Sequence, residues 1–288
     1  MMAKKRRKKQ SRFAEVWRRL KKNKLAIISL VVIILVLLVA LFAPIIAPYE
    51  YQAQNTKRAL EGPSRDHLLG TDRLGRDVLS RIIWGSRQSL QMGFTAVIVA
   101  AVLGIIIGSI AGYYGGWVDG LIMRILDIYQ GIPMFLLTVT LASVLGPSLR
   151  NAIIAIGISM IPGNCRFMRA LILSVREQEY IEAARCINAS DGRIIRDHII
   201  PNAVTPMIVN ITMGLGMSVL AGAGLSFIGL GVQPPIPEWG AMISDARNYM
   251  RGNPQLAYYP GLCIMITVLS FNLLGDGLRD ALDPRLKT

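Results

Sequence analysis

Between two long apolar runs, the segment 173–204 carries Glu177, Glu179, Glu182, Arg185, Asp191, Arg193, Arg196, Asp197 and His198. Glu179 and Glu182 precede Arg185 by six and three residues, the order that favours a helix through its dipole. None of these groups forms a nucleophile–base pair of the kind covalent catalysis needs. Elsewhere the chemistry is sparse. Two histidines, His67 and His198, stand far apart, and Cys165, Cys186 and Cys263 are isolated, with no CxxC pair. The chain contains no GxxxxGK[ST] phosphate loop, no HExxH and no GxSxG. It therefore offers no catalytic, metal or cofactor site of its own. What the 173–204 segment can do is make a shaped, charged contact with another macromolecule.

The spacing predicts how that contact is built. Tyr180, Ala184 and Ile187 recur at i, i+4 and i+7, a helical stripe. Asn188 stands where the chain can enter a left-handed turn, which Asn tolerates better than most non-glycine residues. Ser190 or Asp191 can cap a second short helix through about His198, and Pro201-Asn202 is expected to end it. Ala183 and Ala184 keep the first helix slim enough to enter a groove on a partner.

The elements that position this segment are apolar spans. Residues AVILMFWYC make up 52% of the 288. Counted with glycine and without tyrosine, the apolar share is about 58%, against roughly 45–50% in soluble domains. Leu25 to Ala47 runs 23 residues without a charge, about 35 Å as a helix, enough for a hydrocarbon core of about 30 Å. It is too long for a cleaved leader. Further apolar stretches cover about 89–112, 121–145, 151–172, 205–231 and 260–278, so six transmembrane helices are expected. The division is a basic tail (1–24), a first span (25–47), an extracytoplasmic loop with an interfacial helix (48–88), a five-helix core (89–278) that includes the 173–204 loop, and a C-terminal tail (279–288).

Residues 1–24 hold 12 of the 32 Lys and Arg and only Glu15 against them. A basic run directly before an apolar span is a cytoplasmic anchor on anionic lipid, not a nucleic-acid arm. With six spans both termini then lie in the cytoplasm. Lys and Arg outside the spans number 19 on the expected cytoplasmic side and 10 on the other.

Within the spans, Gly104, Gly108 and Gly112 form a repeated GxxxG, a face that lets another helix backbone approach. Gly214, Gly216, Gly222, Gly224, Gly229 and Gly231 crowd the fifth stretch, either for tight packing or for a span that shifts beside a path. Arg124 and Asp127, at i and i+3, are expected to pair. No span centre holds a clear Asp, Glu or Lys, which disfavours an ion-coupled pump. Work done by this chain must be powered elsewhere.

Four motifs in order resemble one family. Glu182-Ala183-Ala184, followed by Ile199-Ile200-Pro201-Asn202, looks like the EAA signature of bacterial ABC-importer permeases; Asn188 stands where that family usually has glycine. Gly70-Thr71-Asp72-Arg73-Leu74-Gly75-Arg76-Asp77, Gly224-Leu225-Ser226-Phe227-Ile228-Gly229-Leu230-Gly231 with Trp239-Gly240, and Leu274-Gly275-Asp276-Gly277-Leu278-Arg279-Asp280-Ala281-Leu282-Asp283-Pro284-Arg285 are similar to its dipeptide/oligopeptide/nickel branch. The resemblance implies an all-α integral membrane protein with the type I importer (MetI-like) permease fold, multi-pass in the bacterial inner membrane. It implies a heterodimer with a homologous permease, two ABC ATPase subunits holding ATP and Mg, an extracytoplasmic solute-binding protein and a peptide substrate. Glu179, Tyr180, Glu182, Ala183, Ala184, Arg185 and Asn188 would form the coupling element docked on an ATPase. A nickel or nickel-chelate importer is the alternative within the family. An ATP-independent channel or membrane scaffold is the alternative outside it.

Overall fold

A computed structural model of the chain describes residues 12–282, without the side chains of residues 12–15 and Arg185. Residues 1–11 of the expected basic tail and 283–288 of the expected C-terminal tail lie outside that range. The described chain is helical, with a lone antiparallel bridge between Thr71 and Asp77. The helices are α1 (Arg12–Leu20), α2 (Lys24–Leu41), α3 (Ala43–Ile46), α4 (Val78–Tyr114), α5 (Gly116–Gln130), α6 (Met134–Leu145), α7 (Leu149–Arg176), α8 (Glu179–Cys186), α9 (Asp191–Ile194), α10 (Ile200–Phe227), α11 (Trp239–Ala246) and α12 (Gln255–Leu282).

Among the described residues four helical stretches are long and apolar enough to cross a membrane: α2, α4, the continuous run 191–227 ending in α10, and α12. The bent pair α5/α6 makes a fifth if read as one span. α7 has 28 residues, length enough to cross, but Asn151, Asn164, Arg166 and Arg169 dilute its apolar character. It is shielded by α4, against which it packs along its length. α2, in contrast, exposes Leu25, Ile28, Leu35, Leu38 and Leu41, the composition of a lipid-facing wall.

Three elements depart from the expected layout for local reasons. The first apolar stretch breaks at Phe42, because Pro44 sits in the first turn of α3 and cannot continue the hydrogen-bond ladder of α2. α4 begins at Val78, so residues 78–88 of the expected loop belong to a single 37-residue helix, about 55 Å long. The stretch 121–145 is bent by 84°. Gly131 closes α5, and Ile132 precedes Pro133, a position where proline disfavours the helical conformation.

The GxxxG face packs as expected. A Cβ added at Gly104 would come within 2.5 Å of the Asn164 Cβ, and one at Gly108 within 2.5 Å of the Cys165 carbonyl oxygen. At Gly112 it would meet the Ile172 Cβ at 2.7 Å. Of the glycines in the fifth stretch, an added Cβ would meet Ser226 at 2.1 Å from Gly231, Met92 at 2.5 Å from Gly222, Asn272 at 3.2 Å from Gly216 and Phe135 at 3.3 Å from Gly224. Gly229 and Gly231 lie past the end of α10. Gly229, at φ +85°, is the left-handed residue of a Schellman cap: its N–H bonds the Ser226 carbonyl at 3.0 Å and the Leu230 N–H bonds that of Leu225 at 2.9 Å.

The α11 end of the bundle is closed by residues 48–77 and 228–254. The 70–77 segment is a turn rather than the expected interfacial helix. Its charges are mutually satisfied: Arg76 Nε pairs with Asp72 Oδ2 at 2.6 Å, Arg81 Nε reaches the same oxygen at 3.5 Å, and Arg76 Nη2 lies 3.7 Å from Asp245 of α11. Asp77 caps α4, accepting the Ser80 N–H at 2.7 Å, and its other oxygen meets buried His67 Nδ1 at 2.9 Å. Asp77→Ala is expected to cost about 1–2 kcal/mol from the lost cap alone, and a further increment for the stranded imidazole. A double-mutant cycle with His67→Ala, read by thermal unfolding in detergent, separates the two.

Glu238 is fully buried between α4 and α11. The Ser89 hydroxyl donates to its Oε1 at 2.7 Å and the Ala241 N–H to its Oε2 at 3.0 Å. Burial holds its pKa above the ordinary carboxyl range, against these hydrogen bonds. Glu238→Gln keeps an acceptor for Ala241 and gives Ser89 a donor, so its melting temperature is expected to stay near wild type. Glu238→Ala leaves two buried groups unpaired and is expected to lose about 2 kcal/mol or more.

Candidate functional site

The 173–204 segment forms a compact knob at one end of the bundle. α8 buries Ile181 (0% exposed) and Ala184 (6%) against Met168 and Ile172 of α7 and against Ile194 and Ile199 of the following turn. The predicted stripe of Tyr180, Ala184 and Ile187 is therefore out of phase: only Ala184 faces inward. Tyr180 is 42% and Ile187 80% exposed. They stand outward beside Glu179, Glu182 and Ala183, all exposed. Arg185 lies in α8, with its side chain outside the described residues.

Asn188 adopts φ +57°, the left-handed turn that its residue type favours. The bend is closed by the Ala189 N–H on the Ala184 carbonyl at 3.2 Å. Ser190 takes the N-cap position of α9 without a side-chain bond. Asp191 instead accepts the Tyr113 hydroxyl at 2.6 Å, and Arg176 Nη1 donates to the Gly112 and Tyr113 carbonyls at 3.2 Å each. The knob is thus bolted to the end of α4. The second helix does not stop at Pro201-Asn202. It runs on through a widened turn at 195–199, in which the Ile200 N–H reaches the Ile195 carbonyl. That wide turn makes room for Pro201, which has no N–H to donate.

A cleft of about 1000 Å³ opens beside the α5/α6 bend, between α7, α10 and α12. Asn164, Asn210, Asn272 and Asp276 line it together with Met160 and Met213. A second cavity of about 470 Å³ adjoins it, sharing Phe167, Asn210 and Met213 as lining residues, and reaches Arg279 toward the α8 end. The expected Arg124–Asp127 pair is not formed. Asp127 pairs with Arg166 of α7, and Asp119 with Arg169, fixing α5 on α7 below the bend.

Residues 104–288 match the family described as binding-protein-dependent transport system inner membrane component, and residues 11–63 match the N-terminal transmembrane domain of oligopeptide transport permease C. The chain belongs to this permease family. It is 48% identical over 278 residues to the dipeptide transport system permease protein DppC of Alkalihalophilus pseudofirmus, covering 96% of this chain and 91% of the relative. It is 47% identical over 274 residues to the glutathione transport system permease protein GsiD of Escherichia coli O6:K15:H31, covering 95% and 90%. Two inward-facing structures of the MetNI methionine ABC transporter share the fold at 20% identity, with TM-scores of 0.52 and 0.54, over 70% of this chain and 96% and 97% of theirs. This permease is accordingly an inner membrane component of a binding-protein-dependent transport system.

The cleft was not found by sequence reasoning. Its signals were present in Gly131-Ile132-Pro133, which bends the span, and in asparagines standing alone among apolar residues at 164, 210 and 272. Each is unremarkable singly, and only the packing of α7, α10 and α12 gathers them.

Proposed function

We propose that this permease forms, with a homologous permease subunit, the membrane path of an ATP-driven importer for dipeptides or other short peptides. Two partner ABC ATPases bind ATP and Mg, and an extracytoplasmic solute-binding protein delivers the substrate. The N- and C-termini and the α8 knob face the cytoplasm, and the α11 end faces the binding protein. The observation that carries this reading is the α8 knob. Glu179, Tyr180, Glu182 and Ala183 stand on its outer surface, Ala184 anchors it from within, and Asn188 sets its bend. Such a knob docked in an ATPase cleft passes the closure of the ATPases to α4 and α10, to which it is joined without a flexible linker. Arg185 belongs to the same element.

The identities of the two named relatives support a peptide cargo, with glutathione as the second reading. The complex reconstituted in vesicles with its ATPases and binding protein is expected to accumulate labelled dialanine in an ATP-dependent manner. Competition by unlabelled glutathione distinguishes a γ-linked tripeptide cargo, and a labelled nickel chelate tests the metal alternative. Uptake of dialanine without ATPase subunits would instead identify a channel.

A further inference from the structure

The cleft contains polar groups that the fold leaves unused. Asn210 Nδ2 donates to Asn164 Oδ1 at 2.8 Å and Asn164 Nδ2 to the Met160 carbonyl at 3.1 Å, so these carboxamides orient one another. Asn272 and Asp276 make no side-chain hydrogen bond or ion pair with other described residues. They stand at i and i+4 on α12 and both line the cleft, so they lie one above the other on one face, with Cβ atoms about 5–6 Å apart. The helix thus presents a carboxylate and a carboxamide one turn apart to the same cleft. A carboxylate accepts from an ammonium in a short, charge-assisted bond. A carboxamide both donates and accepts, so it serves a peptide bond whatever side chains flank it. Met160, Met213 and Met217 complete the lining. Unbranched thioethers repack around dissimilar side chains. The volume, about 1000 Å³, accommodates a short peptide with water.

We propose that this cleft is a substrate station within the permease, in which Asp276 holds the α-ammonium of a short peptide and Asn272 and Asn210 its peptide group. The proposal rests on the peptide reading given above and adds the residues and the chemical feature they recognise. Such a station would accept varied sequences and discriminate against molecules without a free amino terminus. On the proposed orientation the station lies in the cytoplasmic half of the path, where the adjoining cavity leads out past Arg279.

The test uses the full permease–ATPase complex without the binding protein, which would impose its own selectivity. The probe is the dipeptide alanyl-benzoylphenylalanine, activated by light and competed with Ala-Phe or N-acetyl-Ala-Phe. In the wild type, labelling is expected to map to residues of the cleft and to be competed by Ala-Phe at least about tenfold better than by the acetylated form, the worth of one charge-assisted hydrogen bond. Asp276→Asn is expected to erase that preference and Asp276→Glu to restore part of it. Asn272→Leu should weaken labelling about threefold or more while leaving the preference intact, and it keeps the test decisive should the Asp276 variants fail to assemble. Labelling outside the cleft, a preference that survives in Asp276→Asn, or one lost in Asn272→Leu would overturn the proposal. Dialanine uptake by the wild-type complex, measured in parallel with the binding protein present, separates the two claims: if it occurs, the peptide reading stands whatever the labelling shows, and if it is absent that reading fails as well.

Discussion

Uptake is expected to fall about fivefold or more when Ala183 is replaced by tryptophan, with the complex still present in the membrane at its normal level. Ala183 is exposed on α8 beside Glu182, and on the coupling role proposed for α8 its small side chain would let a docking partner approach the helix backbone. An indole there would hold the partner off by several ångströms or force it to reorganise, and overpacking of a fitted contact typically costs about 1–3 kcal/mol, enough to lower coupling about 5- to 150-fold. Glu182→Lys is expected to act in the same direction by reversing a charge at the contact. The measurement pairs substrate uptake with ATP hydrolysis stimulated by the loaded binding protein. Both should drop, while basal hydrolysis persists. Ala184→Trp gives a different result, because Ala184 is buried against the knob's own core: here the folded complex itself is expected to be depleted. Retention of uptake and stimulated hydrolysis in several variants at 182 and 183 would remove the coupling role from α8.

Gly108→Leu is expected to be the most damaging single change within the membrane. The added side chain begins 2.5 Å from the Cys165 carbonyl oxygen, and its nearest neighbours also include the Met168 Cβ and the Arg169 nitrogen. A backbone carbonyl cannot move aside as a side-chain tip can, so α4 and α7 must separate along the face they share. The cost is expected to exceed the roughly 1–3 kcal/mol of ordinary overpacking, and detergent-solubilised complex should be recovered in much reduced amount. Gly120→Ala in α5 is the matched control, since an added Cβ there meets nothing within 4 Å. It is expected to be neutral or to stabilise by about 0.4–1 kcal/mol. Equal recovery of both variants would show that the α4–α7 contact is not needed for assembly.

The helical membrane class was legible because apolar run length is a direct consequence of bilayer thickness, and the close helix contact at Gly104, Gly108 and Gly112 followed from spacing alone. The left-handed Asn188 was legible because few residue types tolerate that conformation. What escaped depended on partners distant in sequence. Asp127 has Arg124 three residues away, yet α7 brings Arg166 within reach, and tertiary packing decides between them. The phase of α8 was misjudged because Tyr180, Ile181, Ala184 and Ile187 supply two overlapping apolar stripes, and eight residues are too few for periodicity to choose. The knob's buried side is fixed by Ile194 and Ile199, which the sequence places beyond a turn. The polar cleft could not be read at all from residues 46 and 62 positions apart that meet only across three helices.

α4 is one unbroken helix of 37 residues, tied to the knob at one tip through Tyr113 and Arg176 and to the closing loops at the other through Asp77. Its glycines do not soften it, because α7 fills the space beside Gly104, Gly108 and Gly112, Val219 of α10 that beside Gly93, and Glu238 and Trp239 that beside Gly85. Such a girder, about 55 Å long, transmits motion as geometry and requires no relay of side-chain rearrangements. With a fulcrum near the middle, a sideways push of about 3 Å at one tip corresponds to a tilt of about 6°, and the opposite tip swings back by a comparable distance. The two faces of the membrane would then open and shut in antiphase by construction.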